Sequence, residues 1–370
     1  MHPDLPELEK PEDFPGLPEL SKQGYQLLKE GSVEEAEACF KRMLDADHEN
    51  HYALVGMGDV ARKKGRFYDA AGYYGRCLAR SPENHYALFG LADCYKAQNQ
   101  FRRAIEVWEQ YLKHDPANIP VLTRVADLYR KTRDFKKSKA LYEKVLDMDK
   151  DNAYAIIGLG HLHYDFKDYR GALRYWETID SLNQEQADIR VLTSIGNCHR
   201  KLKSFEKGAP YFEKALEREA GNFYALFGLA DCFRGMGNQE KSLEYWNRIL
   251  DREPDNKVIL TRIADAYRNL GRYGEARQFY ERALAVGQDA FAAFGLAEVE
   301  RLEKHFEEAE KRLVELIQRD PKNFRFYVEL AECKAERGDR QGALETLDRF
   351  KRLGIPSPMV NSLYERLTTP

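Results

Sequence analysis

The residues best suited to chemistry here are nine histidines, six cysteines and one aspartate-rich segment, and their spacing argues against a reactive centre. DMDKDN at 147–152 opens like a calcium-binding loop, in which alternate side-chain oxygens would hold the cation. The glycine such a loop needs at its sixth position is Asn152, and the bidentate glutamate position is Gly158, so the segment reads as an ordinary junction. His161 and His163 stand two residues apart, which on a helix turns them to different sides and makes a poor metal pair. Cys39, Cys77, Cys94, Cys198, Cys232 and Cys333 include no CxxC pair and suit reduced thiols better than a disulfide framework. No P-loop, nucleophile elbow or HExxH is present. The expectation is a chain with no catalytic residue, no metal ligands and no cofactor, and hence no enzyme.

Composition narrows the partners. With 43% hydrophobic and 32% charged residues over 370 positions the chain has the makings of a large folded core. A net charge of −3 and an isoelectric point near 6.4 give no general reason to bind nucleic acid or an anionic membrane. The N-terminus has no apolar run fit for a signal-peptide core, and no window approaches 18 uninterrupted apolar residues, so the expected location is the cytoplasm.

The elements that would position any site are written as a repeat. Residues 84–95 read NHYALFGLADCY and residues 222–233 read NFYALFGLADCF. With His85 as phase 1, similar blocks begin at Leu17, His51, His85, Ile119, Ala153, Ile189, Phe223, Lys257, Ala290 and Phe324. The step is 34 residues, apart from a two-residue insertion at 187–188 and a one-residue deletion before Ala290. Apolar residues at phases 4, 7, 8 and 11, and again at 17, 20, 24, 27 and 28, predict two helices per block joined by a short polar turn. Asn50, Asn84, Asn118, Asn152, Asn222, Asn256 and Asn323 precede the first helices as predicted caps. Small residues at phases 8 and 20, Ala92 and Ala104 for example, predict close helix contact. Cys94, Cys198, Cys232 and Cys333 share phase 10, as small core residues. Block six departs, with Gly208 and Pro210 inside its second helix, and residues 181–212 are the predicted irregularity. Residues 1–16, proline-rich and acidic, read as a disordered tail, and residues 357–370 as a capping helix with Ser357 at its start and Met359, Leu363 and Leu367 on one face.

At these residues the chain resembles the tetratricopeptide repeat family. Block three carries the motif most fully, in Leu88, Leu91-Ala92, Tyr95, Ala104, Trp108 and Pro116, and in-phase copies cover more than nine-tenths of the chain. The resemblance implies an all-α, right-handed α-solenoid, a superhelix of ten helix-turn-helix units over residues 17–356. It also implies a concave groove built by the first helices, into which phases 2, 5, 6, 9, 12 and 13 look. On those phases Tyr52, Tyr86, Tyr154, Tyr224 and Phe291 occupy phase 2, with an apolar residue at phase 5 (Phe89 and Phe227 among them) and glycine at phase 6 (Gly90 and Gly228 among them). Blocks four, six and eight instead carry Arg124, Ser194 and Arg262 at phase 6, so the true unit is a double repeat of about 68 residues.

Two readings of the glycine row stay open. In one, the missing side chain makes room for a residue of a neighbouring repeat, such as the arginine one block later. In the other, each glycine floors a shallow aromatic pocket for a peptide side chain. Phases 9 and 12 add a ladder of acids and bases, Asp59/Arg62 and Asp93/Lys96 among them, either self-neutralised or offered to a peptide main chain; in block six it reads Asn197/Arg200, flanked by Arg190. A chaperone-tail carboxylate clamp is unexpected, because Asp59, Asp93 and Asp127 stand where the clamp of that family needs asparagine. The implied function is a protein–protein interaction scaffold whose groove holds peptide segments of partner proteins. Tyr52, Tyr86, Phe89, Gly90, Arg124, Tyr154, Arg190, Asn197, Tyr224, Phe227, Gly228 and Arg262 are its candidate contacts. The alternative is a structural subunit that works through its convex face or ends.

Overall fold

The computed structural model of the chain describes residues 16–182 and 188–369. Apart from Gly16, the expected N-terminal tail lies outside the described residues, as do Ala187 of the insertion and Pro370. The described residues form 21 α-helices and no strand, in two compact units, residues 1–182 and 183–370.

The first unit holds five hairpins: α1 (Leu17–Glu30) with α2 (Val33–Ala46), α3 (His51–Lys63) with α4 (Phe67–Arg80), α5 (His85–Ala97) with α6 (Phe101–His114), α7 (Ile119–Lys131) with α8 (Phe135–Met148), and α9 (Ala153–Asp165) with α10 (Tyr169–Leu182). The second holds five more: α11 (Ile189–Lys201) with α12 (Phe205–Arg218), α13 (Phe223–Gly235) with α14 (Gln239–Leu250), α15 (Lys257–Asn269) with α16 (Tyr273–Val286), α17 (Ala290–Leu302) with α18 (Phe306–Arg319), and α19 (Phe324–Glu336) with α20 (Arg340–Lys351). A single helix, α21 (Pro358–Thr368), follows. Within each unit every helix packs on the next, so each unit is an all-α solenoid of stacked hairpins.

Local chemistry sets the helix ends. The side chain of each asparagine preceding a first helix accepts a backbone N–H of the first turn, as Asn84 does from Ala87 and Asn222 from Ala225. Each hairpin turn contains one residue with positive φ at phase 15, glycine at five hairpins (Gly65 and Gly271 among them) and Asn99, Arg133, Lys167, Lys203 or Lys304 at the others. At α21, Ser357 caps the helix as expected, but Met359 faces solvent. Val360 and Leu363 are the buried pair, because their three-residue spacing places both over α19 and α20.

The core of the first eight hairpins is organised by one ring each, whereas the last two carry Leu313 and Leu347 at the same phase. At phase 24 the second helix carries Phe40, Tyr74, Trp108, Tyr142, Trp176, Phe212, Trp246 or Tyr280, each almost wholly buried. The ring of Tyr74 sits between two glycines: a Cβ on Gly58, in the same hairpin, would lie 2.5 Å from it, and one on Gly90, in the next, 2.3 Å. Phe40 is held in the same way by Gly24 and Gly56, and Phe212 by Gly196 and Gly228. Gly158 lies against Tyr142 and Gly295 against Tyr280. The occupant of the glycine row is therefore the aromatic ring of the preceding hairpin and not the arginine one block later. Where phase 24 is tryptophan, the following first helix carries Arg124 after Trp108, Ser194 after Trp176 and Arg262 after Trp246, so from block three to block eight two kinds of ring seat alternate.

The irregularity expected within 181–212 does not extend to α12. Pro210 lies inside an unbroken helix, because it and Glu206, whose carbonyl loses its partner, both face solvent, where water can take the freed oxygen. Gly208 is buried, where a Cβ would stand 3.1 Å from the Gly196 carbonyl and from the His199 Cβ.

Three substitutions test this packing. Gly90→Ala, and equally Gly228→Ala, should destabilise the fold by roughly 1–3 kcal/mol, because the seated ring has no room to retreat. Gly72→Ala, on an exposed helical position with nothing within 4 Å, should instead stabilise by somewhat under about 1 kcal/mol. Chemical denaturation of the three proteins decides the matter, and a gain in stability for Gly90→Ala would overturn the ring-seat account. Pro210→Ala should raise the thermal midpoint, since it restores one helical hydrogen bond without disturbing a buried neighbour.

Candidate functional site

The ring seat places the polar residues beside it. Tyr74 Oη donates to Asp59 Oδ1 at 2.7 Å and Tyr280 Oη to Asp265 Oδ1 at 2.6 Å. Where phase 9 is Tyr25 or Asn197, the ring is phenylalanine, Phe40 or Phe212, and no hydroxyl is spent. Arginines, most of them at phase 12, then pair with these acids within and between hairpins. In the first unit Arg62 bonds Asp59 at 3.1 Å and Asp93 at 3.2 Å, Arg124 reaches Asp93 at 3.0 Å, and Arg130 bridges Asp127 and Asp165. In the second, Asp231 takes Arg200 at 2.5 Å and Arg234 at 3.1 Å, Arg268 bridges Asp265 and Glu298, and Arg301 holds Glu329 at 2.6 Å and Glu336. The ladder is thus paired along and between hairpins.

What the first helices leave open is aromatic. Tyr52, Tyr86 and Tyr154 in the first unit, and Tyr224 and Phe291 in the second, are between 56% and 79% exposed at the same phase of five hairpins. In the first unit two pockets adjoin. One, of about 330 Å³, is lined by Ser21, Tyr25, His51, Tyr52, Val55, Asp59, Asn84 and Tyr86. The other, of about 540 Å³, is lined by Asp59, Arg62, His85, Tyr86, Phe89, Gly90 and Tyr111. Gly90 thus edges an open pocket along its backbone, while the space of its missing side chain is filled by Tyr74.

The other candidate residues are spread over the two units. Phe89 is half-buried, with the Arg124 guanidinium 4.8 Å from its ring centre and Trp108 edge-on at 6.3 Å. Arg190 is exposed and folded back onto Asp188 at 2.5 Å, and Asn197 accepts from Arg200 at 3.2 Å. Phe227 stacks on Phe223 at 6.1 Å, Gly228 is covered by Phe212, and Arg262 is half-buried on α15. Tyr25 and Tyr111 were missed by the motif reading; the signal at Tyr25 was its departure from the aspartate usual at phase 9.

Residues suited to chemistry are spent on packing. All six cysteines are buried, and burial pushes the thiols of Cys94 up to about 11 and of Cys232 and Cys333 up to about 12. His163 is buried with Nδ1 2.8 Å from Asp168, whereas His161 is exposed with its ring edge-on to Trp176. Among the described residues no cluster of three metal-binding side chains occurs, and no helix is long and apolar enough to cross a membrane. One carboxyl is poised: burial pushes Glu298 up to about 7, against the downward pull of Arg268.

Five family models, each described as a tetratricopeptide repeat, match residues 61–128 and 301–354, 258–288, 224–256, 119–152 and 189–222, and 21–74. A search of curated proteins finds no match. Among solved structures, a tetratricopeptide repeat protein from Parabacteroides merdae aligns with a TM-score of 0.52 at 16% identity, over 67% of this chain and 97% of its own. YrrB, described as a protein of this class with an unusual peptide-binding site, aligns with a TM-score of 0.44 at 17% identity, over 51% of this chain and 96% of its own. MamA gives 0.42 at 18% identity, over 47% and 94%.

Glu298 carries a prediction with a definite sign. Its folded-state value lies above the ordinary 4.5, so between about 4.5 and about 7 the folded chain holds a proton that the unfolded chain has lost. Stability of the second unit should therefore fall as pH rises through that window, and Glu298→Gln should remove this part of the slope. Urea unfolding from pH 5 to 8 measures it; identical slopes for the two proteins would refute it.

Proposed function

Because the chain belongs to the tetratricopeptide repeat family, whose repeats are generally protein–protein interaction modules, we propose that it is a non-catalytic scaffold that binds peptide segments of partner proteins on its first-helix face. The observation that carries the reading is the exposed aromatic row. Placing five large rings in water at one phase gains nothing for folding, whereas each offers contact area at little conformational cost when a partner covers it. The first unit supplies Tyr52, Tyr86, Phe89, Arg124 and Tyr154, and the second Arg190, Asn197, Tyr224, Phe227 and Arg262. Gly90 and Gly228 act indirectly, by seating the rings that set the spacing of those helices.

Proteins rather than nucleic acid are the proposed partners, since the chain is slightly acidic and its ladder arginines are paired with carboxylates. The proposed location is the cytoplasm.

The double substitution Tyr52→Ala and Tyr86→Ala tests the reading in the first unit, and Tyr224→Ala with Phe291→Ala in the second. Both rings of each pair are solvent-exposed, so the thermal midpoint should stay within a degree or two while affinity for recovered partners falls about tenfold or more. Unchanged affinity for every partner recovered in a pull-down would exclude the first-helix face and favour a structural subunit working through its other surfaces.

A further inference from the structure

The smaller pocket of the first unit has a composition more specific than a generic peptide groove. Three tyrosines, Tyr25, Tyr52 and Tyr86, contribute to its lining, and among the described residues Asp59 is its only carboxylate. Among the described residues neither lysine nor arginine lines it; Arg62 and Lys22 belong to adjoining pockets. Among the described residues both hydrogen bonds to Asp59, from Tyr74 at 2.7 Å and from Arg62 at 3.1 Å, converge on Oδ1, which leaves Oδ2 to an incoming donor. Tyr25 is fixed by its own bond, Oη donating to the Tyr52 carbonyl at 3.2 Å, and by an edge-on contact with Phe40 at 5.1 Å. Burial keeps its phenol neutral by raising it well above the ordinary value.

We infer that this pocket takes a basic side chain, lysine or arginine, from the bound peptide. The inference rests on the peptide-binding reading above and names the chemistry its first unit selects. An acidic side chain would meet Asp59 with like charge. An apolar one would strip water from the carboxylate without replacing its hydrogen bond. A cation satisfies both features, its charge facing Asp59 and its flanks lying on aromatic faces whose quadrupoles attract it. The position is particular to the start of the chain. At phase 9 the block before Asp59 carries Tyr25, whereas the blocks before Asp93 and Asp127 carry aspartate, so the aromatic wall forms at this junction.

The test pans a random peptide library on the full chain, on Asp59→Asn and on the Tyr52→Ala/Tyr86→Ala protein. Asp59→Asn keeps an oxygen to accept from Tyr74, and an unchanged thermal midpoint shows that the fold is intact. Peptides that need the tyrosines should share one lysine or arginine. Replacing that residue by norleucine, which keeps an unbranched aliphatic stem and removes the charge, should weaken binding to the natural protein about tenfold and to Asp59→Asn by less than about threefold. Tyrosine-dependent peptides with no shared basic residue, or an equal norleucine effect on both proteins, would overturn the inference and leave the peptide-binding reading standing. A library that yields no tyrosine-dependent peptide would overturn both.

Discussion

The packing of most hairpins depends on an aromatic ring seated where facing side chains are absent, two of them at Phe40, Tyr74 and Phe212. In the glycine-bearing seats the phase-24 ring fills the space between first helices of consecutive hairpins, and no methyl group fits on the facing positions of Tyr74, Phe40 or Phe212. Close packing of this kind fixes the distance between helices to within a fraction of an ångström, because interiors do not tolerate either overlap or voids. A glycine inside a helix costs about 1 kcal/mol in propensity. Burying a whole ring against both neighbours outweighs that cost, which is why glycine recurs where helix propensity alone would exclude it.

The same seat organises charge. Tyr74 and Tyr280 at the ring position extend their hydroxyls to the phase-9 aspartates Asp59 and Asp265, which are also bonded by arginines such as Arg62 and Arg268. Asp231 shows the pattern without the hydroxyl, since the ring of its own hairpin is Trp246, and it takes two arginines instead. Exposed ion pairs contribute little one at a time. Here the pairs are partly buried and linked through shared partners, so their main consequence is alignment: Arg62, Arg124, Arg130, Arg200, Arg268 and Arg301 bond across a repeat boundary and resist slippage between hairpins. The groups that would otherwise advertise a polar binding surface are largely occupied by one another, and the aromatic row at phase 2 remains.

Much of this was legible in the residues. Seven of the first helices begin after an asparagine cap that could be read directly, because capping is a local signal that acts within one turn of helix. The 68-residue alternation could be read, and so could the glycine row. Two expectations failed for physical reasons that spacing cannot carry. Met359 gave way to Val360, since a one-residue rotation of a short helix decides which side meets α19 and α20. Pro210 left α12 unbroken because it faces solvent.

The sequence by itself determined the all-helical class, the repeat and the list of residues that share a phase, since periodicity and capping depend on neighbours along the chain. Only the tertiary structure decided what lies against what. A glycine in a helix says that something approaches closely; it does not say from which side, and the occupant of Gly90 proved to be Tyr74, sixteen residues earlier, a contact made only when one hairpin docks on the next. The pocket of Tyr25, Tyr52, Tyr86 and Asp59 likewise joins residues of three hairpins that share no single phase, and its existence is a property of their packing.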